Sequence, residues 1–441
     1  MRIHNLRAGA AQVDITPPPG IPLTGFLSRL GPSTGIHDPL FARALALDTG
    51  NQQVLLITCD LLALDALFVS AARAAIREAT GIPEKSIMIA CTHTHSGPAT
   101  IFLRDCGEVD ATYLDSLRLR LVSVAQDAVS NLREAKVGAG RGRVDKGVLN
   151  RRQPGAPTDP DLDVIGFQDE AGKFLAILVN YACHPVCLEA SNRLISADYP
   201  GYLARTLQEQ THAVVLFTSG AAGDINPERM GSFAFAEALG GALATETLRL
   251  LDTLEYQDTA VLLVTGEKLD LPLQLPPTRD ELEQQVFEYR QELVEAEAAG
   301  DVLAGKLHKA MLGWAEATLA GVRCGNVPAY VPAELHCFCL GEIMLVGIPG
   351  ELFSELGKEI KSSTSLRQVT VLGYTNNDIG YIPARQAYAQ GGYEITDAFT
   401  FYGYPAALAP EAGELVQQSA ARLLEWCSSS SRQSVFEMEE Q

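Results

Sequence analysis

Apolar runs of six to eight residues punctuate the chain at 54–59 (VLLITC), 86–91 (SIMIAC), 174–181 (FLAILVNY), 213–218 (AVVLFT), 342–348 (EIMLVGI) and 369–374 (VTVLGY). Their Val, Ile and Leu content, without polar alternation, marks strands covered on both faces. Between them the apolar spacing changes to a helical period, at 65–79, 111–134, 199–210, 231–251 and 352–363. Strand and helix alternating in this way predict an α/β fold with a mixed, largely parallel central sheet flanked by helices. Residues 277–322 carry two more helical stretches that meet near Ala299-Gly300, which predicts an inserted αα-hairpin. The polar stretch 428–441 (SSSSRQSVFEMEEQ) is expected to be disordered, leaving residues 1–427 as one α/β domain.

Every one of these apolar runs ends in polar residues. They lead into Asp60, into His93 and His95, into His184, into Asp224 within GAAGD, into Glu351 within PGE, and into Asn376, Asn377 and Asp378. In open α/β sheets the ligand crevice lies beyond the carboxyl ends of the strands. These strand ends are therefore expected to converge on one site.

The stretch MIACTHTHSGPA (88–99) places His93 and His95 two residues apart. Along an extended backbone such residues face the same side. Two neutral imidazoles facing one pocket suit Zn²⁺, or one ligates while the other carries a proton. Taken alone, the pair is equally well explained by histidines hydrogen-bonded near a turn. A catalytic zinc needs about three protein ligands and an open position, so further ligands must come from elsewhere. His184 in NYACHPVC is held extended by the proline after it, and Glu351 in GIPGELFSELG opens a helix, where a carboxylate also suits the dipole. His37 sits in a loop beside Asp38, whereas His4, His212, His308 and His336 lack comparable company and are expected on the surface or in the core.

Charge narrows the partners. A net charge of −20 over 441 residues argues against nucleic acid and anionic membrane surfaces, both of which need clustered Lys and Arg. Nine cysteines, odd in number and without a CxxC pair, fit a reducing compartment, and Cys59, Cys91 and Cys183 read as small core residues. The N-terminal sequence carries no apolar core of a signal peptide and no segment approaches a membrane span, so a cytoplasmic location is expected.

In order along the chain, AGAAQVDIT (8–16), TGIHDPLFARAL (34–45), THTHSGP (92–98), LNRR (149–152), NYACHP (180–185), SADYPG (196–201), GAAGDINP (220–227), PGE (349–351) and NNDIGYIPARQAYAQGGYE (376–394) resemble the catalytic domain of the neutral, non-lysosomal ceramidase family. The resemblance implies one zinc per chain, held by His93, His184, Glu351 and Tyr381. It also implies that His95 transfers a proton, and that Arg151 and Tyr393 bind or polarise the scissile group. Asp14, His37, Asp198, Asp224 and Asn226 are candidates for substrate contact or for orienting the ligands, with turn and cap roles the alternative for the aspartates. Family members carry a C-terminal β domain that is expected to be absent from this chain. Where the family has Ser in Gly-Asp-Val-Ser-Pro this chain has Asn226, which closes a serine-nucleophile route and leaves a zinc-water route open.

The expected activity is hydrolysis of an amide, an N-acyl linkage in a small molecule that need not be ceramide, by metal-activated water. An ester, lactone or other carbonyl-derived bond is the alternative, since hydroxide attack is common to all. A binuclear amidohydrolase barrel would place its HxH after the first strand and add later histidines, which this chain does not. A non-catalytic binding protein that keeps the fold, with the hairpin as its partner surface, is the remaining reading. A homo-oligomer is compatible with all of these, whereas nucleic-acid binding and stable membrane insertion are not expected.

Overall fold

The computed structural model describes residues 5–258, 261–364, 366 and 368–439, with side chains to residue 431. In chain order its helices are α1 (Ala66–Thr80), α2 (Ala111–Ser130), α3 (Asp198–Thr211), α4 (Phe233–Leu251), α5 (Arg279–Ala299), α6 (Val302–Cys324), α7 (Ser354–Ser362), the single turns α8 (Tyr393–Thr396) and α9 (Ala398–Phe401), and α10 (Ala412–Glu439). Local chemistry sets their ends. Asp65 accepts from the Phe68 N–H at the start of α1, Gly81 closes it in the left-handed region, and Thr278 with Glu281 forms a capping box on α5. No described helix is long and apolar enough to cross a membrane.

Three larger sheets carry the body. The first contains strands Arg7–Asp14, Phe41–Asp48, Gln53–Cys59 and Ile87–Cys91; the second Lys136–Arg143, Asp161–Gln168, Phe174–Tyr181 and Val214–Ser219; the third Leu262–Pro272, Tyr330–Leu340, Ile343–Gly347 and Gln368–Leu372. Each has a parallel pair joined by a helical crossover: 53–59 with 87–91 through α1, 174–181 with 214–219 through α3, and 343–347 with 368–372 through α7. The other pairings in these sheets are antiparallel. The α/β class and the mixed sheets hold, but the parallel share is smaller than the apolar runs suggested. A strand buried on both faces reads the same whichever way its neighbour runs.

The reason for that double burial is the arrangement of the sheets. One face of each lies against helices: α1 and α2 on the first, α3 and α4 on the second, α7 and α10 on the third. The other faces meet in one shared core, where Leu45, Leu56 and Met88 of the first sheet pack with Ile165, Leu178 and Leu216 of the second and Phe338, Leu345 and Leu372 of the third. The carboxyl ends of the parallel strands come together beside it.

Two segments differ in kind from the rest. The hairpin α5–α6 is present as expected, closed by Gly300 at φ +70° and pinned across its helices by Arg290–Glu316 and Arg323–Glu283. The segment expected to be disordered from 428 is instead the end of α10, which runs to Glu439; residues 440–441 lie outside the described residues. Its four consecutive serines are tolerated because the helix is nucleated upstream by the buried face of Val416, Ala420 and Leu424.

Candidate metal centre

His93, His184 and Glu351 each follow a strand of a different sheet, and the structure brings them together in one cavity of about 790 Å³. His93 does not reach it by simple strand alternation. Its backbone is left-handed, at φ +71°, and its ring stacks on Tyr374 at 3.8 Å between centroids. A strained non-glycine residue of this kind persists only where its surroundings hold it; the Leu61 carbonyl takes the His93 N–H at 2.8 Å. Glu351 is set by a two-residue parallel pairing of Glu351–Leu352 with Tyr381–Ile382, which puts Glu351 and Tyr381 in register side by side. Gly223 in GAAGD is required by close approach, since a Cβ there would lie 2.4 Å from the Glu351 carbonyl oxygen.

Three histidines present the same face to the centre. Nδ1 of His93 lies 2.9 Å from the Leu62 carbonyl, that of His95 3.1 Å from the Gly25 carbonyl, and that of His184 2.7 Å from the Ala222 carbonyl. A carbonyl can only accept, so each Nδ1 carries the proton and each Nε2 is a bare lone pair in the neutral ring. The ligand atoms of the three lie within 4.8 Å of one another. Glu351 Oε2 is 2.9 Å from His184 Nε2 and 3.6 Å from His93 Nε2, and His95 Nε2 is buried without a hydrogen-bond partner. A lone pair facing a carboxylate at that distance is reconciled by a shared proton or a metal cation. Imidazole nitrogens with a carboxylate and a neighbouring phenol form a donor set that fits zinc.

The electrostatics agree with neutral imidazoles around a charged carboxylate. Burial brings His93 down to about 3, against the charge of Glu351, and pushes His95 well below its usual range. Burial alone would raise Glu351, but a proton shared with His184, together with the pull of a protonated His93 and the Arg151 guanidinium, would bring it to about 2. Burial also opposes the Arg151 charge, yet Tyr381, Glu394 and Glu351 beside it hold the guanidinium above its usual range.

The remaining expected residues divide. Arg151, Asn226, Tyr381 and Tyr393 line the cavity with the histidines. The antiparallel pairing of 148–150 with 225–227 brings Arg151 next to Asn226, whose Oδ1 accepts from Nη1 at 3.3 Å. Asp14 does not come to the site: it is exposed and caps its own turn through the Thr16 N–H at 2.7 Å. His37 lies off the cavity, stacked on Phe233 at 3.7 Å with Nδ1 2.7 Å from Asp38. Asp198 is buried at the start of α3, accepting the Leu188 and Tyr199 N–H groups, and Asp224 accepts from Asn150 and Ser354 behind the wall. Asp60 is taken by a buried pair with Arg43 at 2.7 Å, and Asn376 and Asn377 accept the backbone N–H groups of Ile89 and Ala66. His212 caps α3, His308 pairs with Glu292, His336 is core, and His4 lies outside the described residues.

Other groups escaped sequence reasoning. The Tyr402 hydroxyl donates to Glu351 Oε1 at 2.6 Å, and Glu394 accepts from both Arg151 and Arg152. Gly25, at φ +93°, passes so close to His95 that a Cβ would sit 2.4 Å from its Nδ1, and Phe26 lies 4.9 Å from the same ring. A tyrosine in TFYGYP and a glycine in a proline-rich loop carry no local signal. Only the fold brings them here.

Known proteins share this sequence pattern and fold. Residues 6–243 match the model of the N-terminal region of neutral/alkaline non-lysosomal ceramidase. The neutral ceramidase of Pseudomonas aeruginosa is 23% identical over 480 residues, covering 90% of this chain and 69% of the relative. That of Drosophila melanogaster is 24% identical over 257 residues, 51% of this chain and 36% of the relative. The crystal structure of the P. aeruginosa neutral ceramidase shares the fold with a TM-score of 0.72 at 20% identity, over 96% of this chain and 75% of that one. A ceramidase complexed with C2 gives 0.73 at 18%, over 96% and 76%. With the family model spanning more than half of its residues, the chain belongs to the neutral/alkaline non-lysosomal ceramidase family.

Proposed function

We propose that this chain is a zinc-dependent hydrolase that cleaves the amide bond of an N-acylated small molecule with a metal-activated water. The observation that carries the reading is the shared protonation of His93, His95 and His184: each Nδ1–H is engaged by a backbone carbonyl, so three Nε2 lone pairs converge in one cavity, those of His93 and His184 on the Glu351 carboxylate. The name neutral ceramidase, borne by its relatives, supports an amide as the bond attacked.

His93, His184 and Glu351 would hold the zinc, with Tyr381 in register beside Glu351. When bound, zinc supplies Lewis acidity and a water whose pKa is brought toward about 7. His95, with an unpartnered Nε2, takes the proton of the attacking water and delivers one to the leaving amine. Its Nδ1–H stays on the Gly25 carbonyl, which fixes the tautomer that this role needs. Arg151 is aimed by Glu394 at 2.8 Å and by Asn226, and with Tyr393 it donates to the carbonyl oxygen as negative charge grows there. Phe26 keeps bulk water from one side of the His95 ring.

Purified protein should contain close to one zinc per chain, and His93→Ala and His184→Ala should each lose it. Full zinc retention in both variants overturns the site. An ester of the same shape meets the same groups, so matched N-acyl and O-acyl substrates, given to one preparation, decide which bond is preferred.

A further inference from the structure

Residues 373–376 (GYTN) follow the last strand of the third sheet and bond to all three sheets in turn. The Gly373 N–H donates to the Ser219 carbonyl of the second sheet at 2.9 Å, and the Asn376 N–H to the Ile89 carbonyl of the first at 2.7 Å. Between them the Tyr374 and Thr375 N–H groups donate to Gly350 and Ile348, beyond strand Ile343–Gly347, at 3.3 and 3.0 Å, and the Tyr374 carbonyl accepts the Cys91 N–H at 3.1 Å. Gly350 directly precedes Glu351, and Cys91 stands just before the THTH stretch. Tyr374 is therefore bonded to the segments that carry Glu351 and His93.

Its conformation is costly. Tyr374 is 2% exposed and lies at φ +51°, where a bulky side chain is seldom found. Its hydroxyl is buried with no hydrogen-bond partner among the described residues, a penalty that a phenylalanine would avoid. Strain of this kind persists only where the surroundings over-determine it, and it gathers at functional sites. What the strain delivers is a flat face. The phenol ring lies on His93 with 15° between the planes, and its edge relation to His184 is 79° at 6.4 Å. The bond from His93 Nδ1–H to the Leu62 carbonyl fixes one edge of the imidazole but leaves it free to turn about that axis. A ring stacked on its face removes that freedom.

We propose that Tyr374 is a positioning residue for the metal centre: its ring sets the plane of the His93 imidazole, and so the direction of the Nε2 lone pair, while its backbone ties the Glu351 segment to the His93 segment. The proposal rests on reading His93 and Glu351 as metal ligands, and of the two measurements that test it one needs no metal. In the first, the full chain competes for zinc with a chromophoric chelator. Tyr374→Leu, which stays apolar but loses the flat face, should bind zinc about tenfold more weakly. Tyr374→Phe, which keeps that face, should bind it as wild type does and unfold no earlier in urea. Phe167→Leu controls for lost packing, since Phe167 is buried in the shared core opposite Ala176, at the end of its sheet away from the cavity, and it should leave zinc affinity unchanged. Equal affinities for wild type and Tyr374→Leu, or a Phe variant as weak as the Leu variant, overturn the role of the ring.

In the second, NMR follows isotope-labelled histidine in metal-free protein, with the His93 signals identified by their loss in His93→Gln. Wild type should show one neutral tautomer, protonated at Nδ1. Tyr374→Leu should mix in the form protonated at Nε2 and speed exchange of the Nδ1 proton with water, whereas Tyr374→Phe should match wild type. If wild type takes up no zinc and the Leu variant still shows this mixing, the positioning role stands and only the metal reading falls. An imidazole that keeps a single tautomer and slow exchange in Tyr374→Leu overturns the proposal.

Discussion

The hydroxyl of Tyr402 donates to Glu351 Oε1 at 2.6 Å, and Asp378 Oδ2 lies 3.4 Å from the same hydroxyl. Burial, with Asp378 and Glu351 close by, pushes the phenol well above its usual range, so it remains a donor. The bond occupies one carboxylate oxygen and leaves Oε2 facing His93 and His184. Partners of this kind typically contribute 10- to 100-fold to metal affinity. Tyr402→Phe is expected to weaken zinc binding by about tenfold in competition with a chromophoric chelator, with the secondary structure unchanged by circular dichroism. An unaltered affinity would show that Glu351 is oriented by its backbone alone.

Gly25 makes a sharper test of His95. Gly25→Ala adds a Cβ 2.4 Å from Nδ1 at a residue with φ +93°, so the imidazole must move. A displacement of about 1 Å at a reacting group lowers turnover by roughly 100-fold. Gly20→Ala is the control: φ is +100° there too, but nothing lies within 4 Å of the added atom. Both variants should lose about 1–2 kcal/mol to the left-handed backbone, measured by urea unfolding, while only Gly25→Ala loses activity.

The proposed zinc ligands come from strand ends of three separate sheets, so metal binding and global stability should be linked. A ligand that binds only the folded state at 100 times its Kd adds about 2.7 kcal/mol. Removing zinc with a chelator is expected to lower the unfolding midpoint by a corresponding amount, and His184→Ala should unfold at one midpoint with or without added zinc. Identical midpoints for loaded and stripped wild type would mean that the sheets are held by their shared core alone.

Two buried groups away from the cavity should impose opposite pH dependences. Burial, helped by the Arg73 charge, brings His336 from 6.5 down to about 4, and it stays neutral with Nε2–H on the Lys85 carbonyl. The unfolded chain takes up that proton first, so stability falls as pH drops from 6.5 to 4, by about 3 kcal/mol in all. Burial raises Asp198 from 3.8 to about 6, against the N–H groups of Tyr199 and Leu188. Here the folded state holds the proton longer, so stability falls as pH rises from 3.8 to 6, by a similar amount. Relative to wild type, His336→Gln should be more stable at pH 4 than its loss at pH 7 implies, and Asp198→Asn should show the reverse, each read from urea midpoints across pH 4–7.

Much of the architecture is legible in the chain. The strand at 174–181 and the hairpin helices stand where periodicity puts them, because long apolar patterns are decided locally. His93, His184 and Glu351 can be singled out because each follows a buried strand, the position where α/β folds expose chemistry. Asp14, Asp198 and Asp224 lie off the cavity although they read as site candidates, because an aspartate that caps a turn and one that faces a substrate have the same local sequence; the choice is made by which N–H groups the fold delivers. Tyr402 lies 51 residues from the carboxylate it orients, and no spacing rule reaches across that interval. The direction of strand pairing is equally hidden, since it depends on connections between elements rather than on any one of them.

The route of the chain into and out of the hairpin carries a last consequence. Strands Leu262–Pro272 and Tyr330–Leu340 pair along their whole length, ending at Pro272 opposite Tyr330, so α5 and α6 leave and rejoin the body at neighbouring points of one ladder. A segment mounted in this way is a cassette. It can be lengthened or trimmed while the ladder stays closed and the histidines stay where they are.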